Sequence, residues 1–352
     1  MDKYMGLDVH STSCTLAVIS SQGRRLHEAV VETDASALRN AVKAIRGTRH
    51  LCVEEGTHSA WIHEILDPCV DELVVTRGLG SRALKSDRRD AFALADALRL
   101  RALPAVIFKP SARFAMLREL ARTHRTICSD LVRVRNRLKA TYRSRGIRVA
   151  GRAVYRKGER ETWIARLDPA SRARATLLVR QLDALVTLES DAQRDLIRES
   201  HRHPIARVLE TAPGIGPIRA AELLAVVVTP HRFRSTKQFF AYCGLGIVTR
   251  SSADWIQVDG TWTRTRVPRT VGLNPNHNRT MKEIFKGAAT TVISSRCCAP
   301  LCDHYDRLLE EGTKPNLAKL TIARKIAAIV LAMFKTEEVF DPERLGAHST
   351  TT

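Results

Sequence analysis

The chain has 352 residues, with 57 Lys+Arg against 37 Asp+Glu, and therefore a formal net charge of +20. Its hydrophobic content of 44% is enough to pack cores in two or three domains, which argues against a largely disordered chain. We expect no signal peptide or membrane span, because the start lacks an apolar run and the longest apolar stretch, residues 326–334, is too short. Eight cysteines without an export signal indicate reduced thiols in a cytosol-like compartment, and the charge predicts a polyanionic partner.

The positive charge is concentrated in one part of the chain. Residues 1–100 contain 13 Lys+Arg and 14 Asp+Glu, whereas residues 101–160 contain 17 and 3. A charge that served solubility alone would be spread more evenly, so this segment favours a surface that follows nucleic-acid phosphates. A solvated basic helix face is the alternative. The candidate nucleic-acid-binding residues of this segment are Arg133, Arg135, Arg137, Lys139 and Arg143.

The first part of the chain predicts alternating strands and helices. Apolar runs at 4–9 and 15–19 and a third run through Val31 indicate three strands, and Asp34 then stands where a helix N-cap is expected. A strand at 51–54, a helix at 61–66, a strand at 72–76 and a helix at 88–101 follow. This order predicts an α/β layer fold over residues 1–105.

The middle of the chain, residues 106–203, predicts two long helices. Each carries a seam of residues spaced by three and four, which is typical of a coiled coil and predicts a helical hairpin or a protomer–protomer interface. We interpret His124, the polar member of the first seam, as a packed core or register residue rather than a metal ligand. The seams are Leu117, Leu120, His124, Ile127, Leu131, Val134 and Leu138, and Leu178, Leu182, Leu185, Glu189, Ala192 and Leu196.

Four carboxylates of the first region form a candidate metal site. Asp8 lies on a predicted apolar strand, where an unpaired charge is costly, and Glu54 ends another strand. Asp87 and Asp90 are three residues apart at the start of a helix and so share a face. Such carboxylates can converge on two hard divalent cations that act on a phosphodiester. Taken singly, each acid could instead be a surface charge or, for Asp87, a helix cap.

Two later segments could bind phosphate. The glycines Gly214 and Gly216 precede a helix of small residues, where exposed backbone N–H groups can cradle a phosphate, although an ordinary interhelical turn fits too. Further on, Asn278 could cap a helix on which Arg279, Lys282 and Lys286 share one face; a solvated face is the competing interpretation. A zinc site is disfavoured because the spacing of Cys297, Cys298, Cys302 and His304 contains no CxxC pair.

Taken together, these motifs resemble a known family. Asp8 in GLDVH, Glu54 in VEEG and the K-x-D-x-x-D-A run at 85–91 look like the DEDD tetrad of a RuvC-like, ribonuclease-H-type nuclease domain. More narrowly, they resemble insertion-sequence transposases of the IS one-ten type. The PGIG run at 213–216 and FRSTKQFFAYCGL at 233–245 are similar to the C-terminal transposase domain of that family, so the resemblance covers nearly the whole chain.

The resemblance implies an architecture and a set of active residues. It implies a RuvC-like α/β domain at 1–105, a basic helical, coiled-coil region at 106–203, a mainly α-helical domain at 204–340 with a helix-hairpin-helix-like element, and a polar tail at 341–352. Mg²⁺, as two ions with Mn²⁺ as a substitute, would bind Asp8, Glu54 (Glu55 as the alternative), Asp87 and Asp90. A serine would form a covalent bond to DNA phosphate. We favour Ser252 over Ser251 because it precedes the small residue Ala253, where the family usually has glycine.

The implied activity is DNA transposition or recombination. Members of the family cut and rejoin donor and target DNA and are guided by a structured RNA encoded by the element. The resemblance implies that this chain acts as a homodimer or homotetramer and has no membrane partner. A junction-resolving endonuclease that uses only the carboxylates is one alternative. A non-catalytic nucleic-acid scaffold is the other.

Overall fold

The structure is a computed structural model that describes residues 1–79, 86–104, 106–107, 114–250, 255–264 and 269–345. The chain divides into two compact units, Met1–Arg113 and Phe114–Thr352. No helix among the residues described is both long enough and apolar enough to cross a bilayer.

The N-terminal unit is built on a five-stranded mixed sheet with the strand order β3-β2-β1-β4-β5. The first three strands pair antiparallel, and β1, β4 and β5 run parallel. This arrangement fits the ribonuclease-H-like fold expected from the sequence. The elements are β1 (Asp2–Val9), β2 (Ser13–Ser20), β3 (Arg25–Glu32), α1 (Ala35–Lys43), β4 (Thr48–Glu54), α2 (Ser59–Leu66), β5 (Glu72–Thr76) and α3 (Asp87–Arg99).

The two faces of this sheet pack against different helices. Met5 and Leu7 of β1 belong to a core cluster with Leu38 and Val42 of α1 and with the apolar residues of α2. On the other face, Ala17 and Ile19 of β2 pack with Ala91, Phe92 and Ala95 of α3. Side chains alternate along a strand, so Asp8 lies on the α3 face and Leu7 on the opposite one.

Gly6 allows α3 to approach β1 closely. A Cβ atom at this position would collide with the carbonyl oxygen of Ala91 and would lie 2.8 Å from the backbone nitrogen of Ala95. Both obstructing atoms belong to the helix backbone and cannot rotate away. The missing side chain at Gly6 therefore sets the distance between the strand that carries Asp8 and the helix that carries Asp87 and Asp90.

The C-terminal unit consists mainly of helices. Its largest core cluster is formed by α8, α10 and α12, with contributions from the first turns of α4 and the end of α6. The helices are α4 (Ala115–Arg143), α5 (Arg160–Ala165), α6 (Pro169–Ser200), α7 (Pro204–Glu210), α8 (Pro217–Val227), α9 (Thr236–Tyr242), α10 (Arg279–Ser295), α11 (Ala299–Glu310) and α12 (Pro315–Thr336).

The two long helices of the middle region, α4 and α6, pack side by side in opposite directions. Leu131 of α4 shares a cluster with Leu182 of α6, whereas Leu117, earlier in α4, shares one with Leu196, later in α6. The members of the two predicted seams are all buried or half-buried. A regular supercoil of these helices stays a prediction.

Four short strands in the C-terminal unit were absent from the sequence-based prediction. Strand β6 (Ile247–Arg250) pairs antiparallel with β9 (Arg269–Leu273), and β7 (Trp255–Val258) pairs antiparallel with β8 (Thr261–Arg264). The unit is therefore helical with two small β-ribbons inserted between α9 and α10. Its helical content agrees with the mainly α-helical domain expected at 204–340.

Candidate functional site

All four carboxylates singled out from the sequence line a single cavity of about 290 Å³ in the N-terminal unit. The cavity lies at the carboxyl ends of β1 and β4 and beside the first turn of α3. Its lining residues are Asp8, Val9, His10, Glu54, Glu55, Gly56, Thr57, His58, Ser59, Asp87 and Asp90.

Strand register brings Asp8 and Glu54 together. Leu7 is the parallel partner of Val53, so the next residue of each strand, Asp8 and Glu54, emerges at the same level on neighbouring strands. Both follow residues of the opposite face and therefore point to the α3 side. Gly78 lies beside them, because a Cβ atom there would collide with Glu54 Oε1. The sequence-predicted strands thus supply two of the four carboxylates by register alone.

The first turn of α3 supplies the other two. Ser86 is the N-cap, and its Oγ accepts a hydrogen bond from the backbone N–H of Arg89 at 3.3 Å. Asp87, a cap candidate from the sequence alone, is instead the first residue of the helix, so that interpretation was wrong. With Ser86 satisfying the backbone, Asp87 and Asp90 keep their carboxylates available at the positive end of the helix dipole.

The cavity is acidic and partly buried. None of the described residues lining it is Lys or Arg. Burial raises the pKa of Asp8 above its ordinary value; His10 lowers that pKa, and the charges of Asp87 and Asp90 raise it further. Crowded carboxylate oxygens without a neutralising lysine or arginine are the donors that hard divalent cations prefer, so these residues fit a divalent metal ion.

His10 is a member of the site that the sequence reasoning missed. Its Nε2 lies 3.2 Å from Asp8 Oδ2 and 3.4 Å from Asp87 Oδ1, and polar atoms of these three residues are close enough together to hold a metal ion. The signal was present, because His10 is two residues beyond Asp8 in the GLDVH motif. On an extended strand, such a spacing puts two side chains on the same face.

Both neighbouring glutamates reach the cavity. Glu54 ends β4, while Glu55 follows it and accepts a hydrogen bond from Ser59 Oγ at 3.3 Å through its Oε2. The Glu55 carboxylate thus already has a partner on α2, whereas Glu54 projects beside Asp8. Glu54 as the metal ligand stays a prediction.

The predicted nucleophiles, Ser251 and Ser252, lie outside the described residues. In the sequence they fall between β6, the first strand of one small ribbon, and β7, the first strand of the other. The catalytic role expected of these serines therefore stays a prediction.

The basic residues of α4 differ in how freely they are presented. Arg137 and Arg143 are exposed, whereas Arg135 is half-buried. Arg133 Nη1 donates to Asp130 Oδ1 at 2.9 Å, and Lys139 Nζ lies 5.4 Å from the centre of the Tyr155 ring. Two of the five predicted phosphate-binding residues are therefore exposed without an ion pair to another described residue, and two have local partners.

The two glycines of the PGIG run have different surroundings. Gly214 has φ +71°, and a Cβ there would collide with the carbonyl oxygen of Ala288, so this glycine lets the turn approach α10. Its own carbonyl accepts a hydrogen bond from Arg219 Nη1 at 2.6 Å. Gly216 is the exposed N-cap of α8 and has no side-chain cap. A packing role accounts for Gly214, and a phosphate cradle at Gly216 stays a prediction.

The helix predicted to begin after Asn278 is α10. Asn278 Oδ1 accepts a hydrogen bond from the backbone N–H of Met281 at 3.1 Å, which confirms the predicted cap. Arg279 and Lys286 are exposed and Lys282 is half-buried. Among the described residues, the cysteines near 300 form no metal cluster: Cys298 and Cys302 are buried, and Cys302 Sγ donates to the carbonyl oxygen of Val292.

A mixed sheet with this strand order, carboxylates at the ends of neighbouring parallel strands and two more on the following helix define a ribonuclease-H-like domain of the DEDD type. A transposase family model of the DEDD, IS110 type matches residues 5–144, and the model of the transposase IS116/IS110/IS902 family matches residues 206–296. The chain therefore belongs to the insertion-sequence transposases of the IS110 type.

Two curated relatives agree with this membership. The chain is 26% identical over 306 residues, 73% of each chain, to an "Insertion element IS116 uncharacterized 44.8 kDa protein" of Streptomyces clavuligerus. It is 30% identical over 172 residues to a "Probable family 20 transposase" of Pseudomonas aeruginosa, where the match spans 47% of each chain. Membership in this family means an enzyme that cuts and transfers DNA strands, with DNA as its substrate and a divalent metal at the DEDD domain.

Proposed function

We propose that this transposase cuts and rejoins DNA with a Mg²⁺-dependent carboxylate site and a serine nucleophile. One observation carries the proposal: Asp8, Glu54, Asp87 and Asp90 line the same cavity, although they come from two strands and a helix. A scaffold that only binds nucleic acid has no use for four clustered carboxylates, which repel one another when no cation is bound.

The metal ligands in this proposal are the same four carboxylates. Two Mg²⁺ ions, or Mn²⁺ in their place, would supply Lewis-acid stabilisation of the attacking and leaving oxygens. Asp8, partly buried at the base of the cavity, fixes the position of the site relative to the sheet. Asp87 and Asp90 complete the ligand set from the first turn of α3. We assign Glu54 rather than Glu55, whose carboxylate is hydrogen-bonded by Ser59.

The nucleophile in this proposal is Ser252, with Ser251 as the alternative. The serine hydroxyl would give up its proton as its Oγ forms a bond to a DNA phosphorus, while one phosphodiester P–O bond breaks and the leaving oxygen takes up a proton. The cut end stays covalently attached to the protein, so the free energy of the phosphodiester is conserved for rejoining. Attack on the phosphoserine by a DNA hydroxyl, either the one that left or one from another strand, then reverses the step and releases the serine.

Substitution at the two sites gives separable results. Ser252→Ala should abolish the covalent protein–DNA species that is trapped by denaturation and detected by a shift of labelled DNA, while Ser251→Ala should retain it. Asp90→Asn should abolish cleavage but leave DNA binding within about twofold, because it changes a metal ligand and not the basic surface.

Cleavage by Ser252→Ala without a covalent species would instead identify a junction-resolving endonuclease that uses water. Full strand transfer by Asp87→Ala, Asp90→Ala would contradict the metal assignment.

We further propose a structured guide RNA, action in the bacterial cytoplasm, and assembly as a homodimer or homotetramer. The support is the basic segment of residues 101–160, with 17 Lys+Arg against 3 Asp+Glu, beside a nearly neutral nuclease region. We divide the chain into the nuclease domain at 1–105, the basic helical region at 106–203 and the serine-bearing domain at 204–340. Sequencing RNA that co-purifies with the protein tests the guide: reads that map beside the element support it, and cellular RNA alone contradicts it.

A further inference from the structure

A second group of metal-ligating side chains lies between α4 and α6, in the C-terminal unit. His124 and Cys128 are one turn apart on α4, and Glu189 faces them from α6. His124 Nε2 is 3.6 Å from Cys128 Sγ and 3.8 Å from Glu189 Oε1. All three ligand atoms lie within 4.8 Å of one another. This group shares no residue with the carboxylate cavity.

His124 is buried in a position where an apolar residue would pack better. Its side chain is 7% exposed, and its Nδ1 is buried with no hydrogen-bond partner among the described residues. The remaining polar contacts of the imidazole run through Nε2, toward the sulfur of Cys128 and the carboxylate of Glu189. The unsatisfied Nδ1 costs free energy in either interpretation, whereas Nε2 is the ring nitrogen that faces both other candidate ligand atoms.

The spacing of the three atoms suits a tetrahedral metal. For Zn–S near 2.3 Å and Zn–N near 2.05 Å, the sulfur–nitrogen edge of a tetrahedron is about 3.6 Å, and the nitrogen–oxygen edge is about 3.4 Å. The sulfur–nitrogen distance observed between Cys128 and His124 is 3.6 Å, and the nitrogen–oxygen distance between His124 and Glu189 is 3.8 Å, a few tenths of an ångström longer than that edge. Nitrogen, sulfur and oxygen together are typical zinc ligands.

We propose that His124, Cys128 and Glu189 bind one Zn²⁺ ion that clips α4 to α6. Water would fill the fourth position, since Cys128 and Glu189 are only half-buried. The ion would fix the register of the two helices at the level of His124 and Glu189, the polar members of the two seams. The basic surface of α4 would thereby be held at one height relative to α6.

The alternative is a polar pair that sets the register of the two helices without any metal, as a buried polar residue does in coiled coils. This alternative explains why His124 and Glu189 face each other. In it Cys128, one turn further along α4, remains a thiol hydrogen-bonded to the same imidazole nitrogen.

Cobalt substitution separates the two interpretations. The full-length protein, freed of metal with a chelator, is titrated with Co²⁺ and its near-ultraviolet and visible spectra are recorded. A cobalt–thiolate charge-transfer band should appear, should be displaced by Zn²⁺, and should be lost in Cys128→Ser. Carboxylates cannot produce this band, so the DEDD cavity does not interfere. Cys297→Ser is the matched control, because Cys297 is an exposed cysteine outside the group and its loss should leave the band intact.

Zinc affinity gives the second measurement. Glu189→Gln keeps the shape of the side chain and should weaken Zn²⁺ binding by about 100-fold or more, beyond the 10–100-fold typical of changes outside the ligand set. The wild-type protein should unfold at a higher temperature with Zn²⁺, and the Glu189→Gln and Cys128→Ser variants should lose that increase. Absence of a thiolate band in the wild-type protein, or a band that survives Cys128→Ser, would overturn the proposal in favour of the register pair.

Discussion

Asp8 illustrates how a carboxylate of the proposed metal site can weaken the fold that carries it. Its pKa is raised by burial, so the folded chain holds the Asp8 proton more tightly than the unfolded chain does. Stability is therefore lost as the pH rises from the unfolded value through the raised folded pKa, and at neutral pH the ionised Asp8 is a net cost.

Asp8→Asn should consequently stabilise the metal-free protein while abolishing cleavage. Removing one charge from a partly buried group of like charges should raise the unfolding temperature in EDTA by roughly 2–4 °C for each kcal/mol gained. Thermal unfolding of wild type and variant with and without Mg²⁺ checks this, because the difference should shrink or reverse when the metal is present. A lower unfolding temperature for the variant in EDTA would contradict it.

A second prediction at the scale of one residue concerns the close contact between Gly6 and α3. Gly6→Ala places a methyl group against the backbone of Ala91 and Ala95, so α3 must move away from β1, at a cost of about 1–3 kcal/mol. The shift separates Asp87 and Asp90 from Asp8, and Mn²⁺ affinity, followed by loss of the free-ion electron paramagnetic resonance signal, should fall. Gly158→Ala, whose Cβ would meet no atom within 4 Å, is the matched control and should change neither stability nor affinity by much.

At the scale of one element, the cap of α3 should matter for metal binding, because Ser86 directly precedes Asp87 and caps the turn that carries both aspartates. Ser86→Ala removes the acceptor of the Arg89 N–H bond and should cost about 1 kcal/mol, fraying the turn that carries Asp87 and Asp90. We expect weaker Mn²⁺ binding and slower cleavage. Ser235→Ala removes an equivalent 3.3 Å cap from α9 and should cost similar stability with unchanged metal affinity. Equal effects of both variants on the metal would refute the local explanation.

The elements that the sequence predicted well are those fixed by local patterns. The apolar runs of β1, β2, β4 and β5, the Asp34 cap and the seams of α4 and α6 are all visible within a window of a few residues. The small ribbons were missed because β6 and β9 are four and five residues long and pair across about 20 intervening residues. The exposed β6 and β9 are formed by this contact between distant segments. Strands β7 and β8 are instead joined by the two-residue turn Asp259-Gly260, a local hairpin signal that the prediction did not use.

The site divides in the same way. Helix spacing puts Asp87 and Asp90 on one face, and the family resemblance grouped them with Asp8 and Glu54 in advance. The strand register that brings Asp8 beside Glu54 comes from the structure. His10 was missed although its spacing from Asp8 is visible in the sequence, whereas the opposition of His124 to Glu189 depends on packing between α4 and α6, which no single segment encodes. The sequence favoured a core or register role for His124, and its burial agrees with that expectation. Cys128, four residues further along the same helix, lies beside it by helical spacing alone.

At the scale of the whole molecule, the net charge of +20 should produce nucleic-acid binding that weakens steeply with salt. Arg137→Glu with Arg143→Glu, both exposed on α4, should lower RNA and DNA affinity and reduce the slope of log affinity against log salt by about one for each phosphate that the variant no longer binds. Arg194→Glu with Arg198→Glu changes the net charge by the same amount on α6, where each arginine pairs with a neighbouring aspartate. Identical decreases in affinity for the two double variants would indicate that total charge, and not a surface of α4, governs binding.

The tight contact at Gly6 also constrains how this protein can diverge. Position 6 and the stretch around Ala91 touch through backbone atoms, so they cannot drift independently: a larger residue on the strand requires a compensating retreat of the helix. A chimera that takes its first strand from one relative and this helix from another would keep every acidic residue and still misplace them. Shuffling of such domains should therefore succeed only when these two segments are inherited together.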